Sequence, residues 1–89
     1  MRQVEKRMVE AVNFGIPFHG SNTTVTIDAN TAHVFLHGNH IASVVNGNVM
    51  VNIDTLRKFP TLVTKSRLRA LGVNVSTTKG ITYLNGKEI

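Results

Sequence analysis

Between residues 23 and 53 the chain alternates apolar and polar side chains with a period of two, and turn-forming clusters interrupt the alternation three times. A period of two matches a pleated strand with one buried face and does not match a helix of 3.6 residues per turn. Val25 and Ile27 share one face of the first segment; Ala32, Val34 and Leu36 share one face of the next, with His33, Phe35 and His37 opposite. Gly38-Asn39 ends that segment, residues 40–45 form another, and Val49, Val51 and Ile53 alternate in the last. Asp28-Ala29-Asn30 is turn-rich, and Asn46-Gly47 is the pair best able to hold positive φ at both central positions of a type I′ turn. Four short strands joined this tightly predict an antiparallel meander.

The flanks change period. Val4, Met8, Ala11, Val12 and Gly15 follow the spacing of one helical face, with Glu5, Lys6 and Glu10 placed off it, and Gly15 and Pro17 supply the stop. A helix of about 12 residues is marginal alone, so its stripe is expected to dock on the sheet. Asp54-Thr55 caps a short helical turn carrying Leu56, Arg57, Lys58 and Phe59, closed by Pro60. A second helix is read over residues 64–71, with Thr64 as its cap, Leu68 and Leu71 as its buried pair and Gly72 as its stop. Residues 73–78 and 81–84, joined by Lys79-Gly80, read as a last hairpin, and Asn85-Gly86 turns the tail. The fold class is therefore α+β: an N-terminal helix, an antiparallel four-strand meander, a short basic helix and a C-terminal β-hairpin, in a single domain over residues 1–89.

Size and composition narrow the function. Eighty-nine residues with 42% apolar side chains make one packed domain, and a deep cavity around a large cofactor would leave such a chain little core, so no cofactor is expected. With no cysteine there are no disulfides, thiolate metal sites or cysteine nucleophiles. No apolar run approaches the roughly 18 residues of a membrane span and the start lacks a signal-like apolar core, so a cytosolic protein is expected.

Charge is unevenly placed. Residues 1–56 hold Arg2, Lys6 and Arg7 against Glu5, Glu10, Asp28 and Asp54, whereas residues 57–89 hold seven bases against Glu88 alone. With Thr64 as cap, Lys65 and Arg69 share one ridge of the second helix and Arg67 flanks the other side of the leucine seam, so both margins are basic. The helix start beside Lys65 and Ser66 offers free N–H groups to a phosphate. Arg57, Lys58, Lys65, Ser66, Arg67, Arg69 and Lys79 are thus the candidate nucleic-acid-binding residues, with Phe59 or Tyr83 as a stacking surface for an unpaired base. The plainer reading is a solvated face that keeps a small protein soluble. A winged helix does not fit, because strands occupy the region where its earlier helices belong.

His33, His37 and His40 form a suggestive string, yet His33 and His37 stand about 13 Å apart along a strand, too far to share one zinc ion. No metal site is expected. Only five carboxylates are present, and Ser21, Ser43, Ser66 and Ser76 lack a nucleophile context, so an enzyme is not expected.

Asn22-Thr23, residues 34–42 (Val-Phe-Leu-His-Gly-Asn-His-Ile-Ala), residues 64–71 (Thr-Lys-Ser-Arg-Leu-Arg-Ala-Leu), Lys79-Gly80 and residues 83–88 (Tyr-Leu-Asn-Gly-Lys-Glu) together resemble a group of small accessory proteins of tailed bacteriophages. The resemblance implies a viral protein made in the host bacterial cytoplasm and carries over no functional residue. Two functions follow as expectations. One is a nucleic-acid-binding module, for DNA or RNA, that uses the basic last third. The other is an effector that binds and inhibits an acidic host protein. A homodimer paired through an exposed edge strand is compatible with either.

Overall fold

The alternating region folds into one antiparallel sheet whose strand order is its chain order: β1 (Phe18–Gly20), β2 (Thr23–Asp28), β3 (Thr31–Leu36), β4 (Asn39–Val45) and β5 (Asn48–Val51). The coordinates are a computed structural model that describes residues 2–89. Val25 stands opposite Val34, Val34 opposite Ala42 and Val44 opposite Val49, so the apolar positions of every strand reach the same face. The meander has five strands where four are expected. The fifth, β1, is three residues long and follows Pro17, too short to show a period. The β3–β4 turn is His37-Gly38, with φ of 52° and 79°, and Asn39 is already paired with Leu36. Asn46-Gly47 turns as expected, with φ of 51° and 79°.

One irregularity shapes the centre of the sheet. Val34 pairs with Ala42 but Phe35 pairs with His40, which leaves Ile41 as an extra residue in β4. Such a bulge bends the strand and turns an additional side chain inward. Ile41, Ala42, Ser43 and Val44 are consequently all buried, Ser43 on the opposite face from the others' core.

Three helices, α1 (Gln3–Phe14), α2 (Ile53–Lys58) and α3 (Leu62–Ala70), pack on the apolar face. Each sends one fully buried side chain, Met8, Leu56 and Leu68, against Val25, Val34 and Ile41. Burying a side chain of this size contributes about 1.5–3 kcal/mol. Ile53 opens α2 rather than closing the last strand, because Asn52 and not Asp54 or Thr55 is the cap: its Oδ1 accepts the Thr55 N–H at 3.2 Å. Helix α3 starts earlier than expected. Thr61 caps it by accepting the Thr64 N–H at 3.1 Å, so Thr64 and Lys65 lie inside the helix. The expected hairpin is a three-stranded sheet of β6 (Val75–Thr78), β7 (Ile81–Leu84) and β8 (Lys87–Glu88), anchored to the core through Val75. Among the described residues no helix is long and apolar enough to cross a membrane.

Candidate functional site

Moving the cap of α3 from Thr64 to Thr61 changes what its cations can do. Extending the Leu68–Leu71 stripe back by one turn leads to Thr64 and Lys65, and both are buried, Lys65 to 3% exposure. The Lys65 ammonium donates to the Thr77 hydroxyl, tying α3 to β6, and its own N–H is taken by the Thr61 carbonyl at 3.1 Å. Arg67, also 3% exposed, forms a salt bridge with Glu5 (Nη1 to Oε2, 2.9 Å) and donates from Nε to Thr23 Oγ1 at 3.0 Å. Ser66 donates to the same Glu5 carboxylate. Lys65, Ser66 and Arg67 therefore join α1, α3, β2 and β6, and the expected phosphate site at residues 64–66 is not formed.

Glu5 is the corrected residue of α1. It stands three positions before Met8 and thus on the buried stripe. Burial alone would raise its pKa, but hydrogen bonds from Ser66, Arg67 and the Arg2 N–H, with the Arg67 charge, outweigh that effect and hold the carboxyl below its ordinary value.

The other expected contact residues are exposed and spread over three places in the fold, α2, α3 and the β6–β7 turn. Arg57 and Lys58 are neighbours in the last turn of α2, where cations also complement the negative end of the helix. Arg69 donates from Nε to the Val75 carbonyl at 2.9 Å, and Lys79 occupies the tip of the β6–β7 hairpin. Tyr83 is half-buried in β7; Phe59, the C-cap of α2, is 41% exposed.

The end of α2 borders a feature the charge pattern does not signal. A groove of about 350 Å³ is lined by Leu36 and Ile41 from the sheet, Phe59 and Val63 from the helices, and the threonines at 55, 61 and 64, with His37 and Asn39 of the β3–β4 turn at one side. Leu62, next to the lining residue Val63, is 82% exposed. The exposed Phe59 and the hydroxyl-rich Thr61-Leu62-Val63-Thr64 turn were its only trace in the sequence.

The second candidate is the face of the sheet turned away from the helices. The register aligns His19, Thr24, Phe35 and His40 in one row across four strands, and Thr26, His33, Ser43 and Met50 in the next. Asn52 Oδ1 is held by the cap of α2, so its amide nitrogen faces His40 Nδ1, at 3.1 Å. An amide nitrogen only donates, so Nδ1 accepts and Nε2 of the neutral ring carries the hydrogen. Nε2 then donates to Ser43 Oγ at 2.8 Å, which leaves the hydroxyl hydrogen for His33 Nδ1 at 2.9 Å. In this tautomer His40 is not a base toward Ser43. A metal-bound imidazole normally gives its second N–H to an acceptor, and here that position holds a donor. No group of three or more metal-ligating side chains occurs among the described residues.

Fold and surfaces together define a small α+β protein with an apolar groove and a sheet face that carries no lysine or arginine. The chain belongs to the Kyanoviridae Gp96 protein family, whose family model matches residues 1–89. No curated protein and no solved structure matches it.

Proposed function

We propose that this phage protein is a non-enzymatic accessory protein that acts inside the infected bacterium by docking an acidic segment of a host protein in the groove between α2, α3 and the β3–β4 turn. The observation that carries the reading is the groove itself: an apolar trough with the exposed Phe59 in its lining, the exposed Leu62 next to the lining residue Val63, and Lys58 on the helix side adjoining Thr55 and Phe59. An apolar side chain of the partner fills the trough, a carboxylate beside it meets Lys58, and Arg57 on the far side of α2 adds longer-range attraction. Buried aromatic and aliphatic anchors supply most of the affinity in such contacts, while charges on the rim mainly speed association.

A second reading, nucleic-acid binding, is favoured by one observation, the exposed Phe59 beside Arg57 and Lys58, which suits stacking of an unpaired base. With Lys65 and Arg67 buried, the exposed candidates Arg57, Lys58, Arg69 and Lys79 are left to meet about four phosphates. The slope of log K against log salt for single strands is then about −3.

Affinity capture from host lysate, with and without nuclease, separates the two. For protein docking, one stoichiometric partner survives nuclease and is lost both with Phe59→Asp and with the pair Arg57→Glu/Lys58→Glu. Recovery that disappears on nuclease treatment supports the nucleic-acid reading, and a partner that both variants retain removes the groove from consideration.

A further inference from the structure

No lysine or arginine occurs between Arg7 and Arg57, so the whole five-stranded sheet lacks a cation in a chain of net charge +5. Its outward face is open: the helices lie on the other side, Thr26 is exposed and Met50 is 56% exposed. A solvated sheet face ordinarily carries charged residues, which also discourage association. Here the rows across β2, β3 and β4 carry Thr24, Thr26, His33, Phe35 and His40, and only Asp28, at the end of β2, is acidic.

Many of the polar atoms at the centre of this face are already paired with each other. His19 Nδ1 meets Thr24 Oγ1 at 2.8 Å, and the chain from Asn52 through His40 and Ser43 to His33 is continuous. Covering the face leaves the bonds of Thr24, His40 and Ser43 intact, and these side chains are held in place beforehand, which lowers the entropic cost of association. Aromatic and methionine side chains with few charges are the composition of an interface centre.

We infer that a second copy of this chain covers the face, giving a two-fold dimer through sheet-on-sheet packing. Charge selects this occupant. Two copies of a +5 chain repel when their cationic parts meet, and this sheet is the part of the molecule that can be brought together without opposing lysines or arginines. Five strands about 4.8 Å apart, three to seven residues long and averaging about five residues of about 3.3 Å, present roughly 400 Å² per copy. The resulting total of roughly 800–900 Å² matches weak, reversible association rather than an obligate dimer.

Sedimentation velocity of the full chain, from about 1 µM to about 500 µM, tests the inference. The expected result is a shift from 9.8 kDa toward twice that mass as concentration rises. Thr26→Lys and Met50→Lys, both at exposed positions, should each weaken the dimer by about tenfold or more, and circular dichroism checks that they remain folded. A wild-type chain that stays monomeric throughout, or a dimer that folded forms of both variants leave intact, overturns it. The latter result points instead to edge-strand pairing. This inference does not rest on the groove, and capture of a host partner neither supports nor opposes it.

Discussion

At the scale of single residues, Glu5 and Arg67 matter most, because each carries its charge into the interior only by virtue of the other. Removing one member of a buried ion pair leaves an uncompensated charge and costs about 3–5 kcal/mol, whereas replacing both with apolar groups of similar volume is often close to neutral. We expect Glu5→Gln to lower stability by about 3 kcal/mol, or roughly 12–24 °C in Tm for a domain this small. The double replacement Glu5→Leu/Arg67→Met should recover most of that loss. Thermal melts of the two single variants and the double variant read the coupling, and losses that simply add would show that the pair does not act as a unit. The pH dependence has a definite sign. Because folding lowers the Glu5 pKa, the stability it contributes is present above its unfolded pKa, about 4.3, and is lost as pH falls through the lower folded value. The wild type should therefore lose stability below about pH 4 more steeply than Glu5→Gln.

At the scale of elements, the caps decide which side chains reach the surface. Asn52 both starts α2 and orients His40, and two substitutions separate these roles. Asn52→Ala removes the cap and should cost about 1 kcal/mol. Asn52→Asp is an equally good cap but offers His40 Nδ1 an acceptor, so the helix should persist while the ring hydrogen moves from Nε2 to Nδ1. Imidazole ¹⁵N shifts would show the change, and an unaltered tautomer would refute the assigned chain of donors. The strands were legible because Val25, Ala32, Val34, Val49 and Val51 alternate and Asn46-Gly47 has a strong turn preference. Strand β1 was not, since three residues carry no period. The basic helix misled for a physical reason: Thr61 and Thr64 are both competent caps, and choosing between them decides whether Lys65 begins the helix or lies in its interior. Opposite charges on two apolar stripes, Glu5 three residues before Met8 and Arg67 beside Leu68, are the pattern that would have paired them. Of the candidate site, Arg57, Lys58 and Phe59 could be read beforehand; the groove could not, because Leu36, Ile41 and Val63 come together only when β3, β4 and α3 pack.

At the scale of the whole molecule, α1 is a structural member of the core. It brings Met8 and Ala11 to the core and Glu5 to Arg67. A chain beginning at Gly15 loses about 2–5 kcal/mol for a side chain such as Met8 and a further 3–5 kcal/mol, roughly, for the broken ion pair. Domains of this kind have about 5–15 kcal/mol in total. We expect that shortened chain to show no cooperative melting transition and little amide dispersion by NMR; a sharp transition would show that the sheets suffice. The salt bridge from residue 5 to residue 67 also sets an order of events during synthesis. The meander, whose turns join neighbouring strands, can close as it leaves the ribosome, but the first helix must wait beside it with a lone carboxylate until Arg67 has been translated.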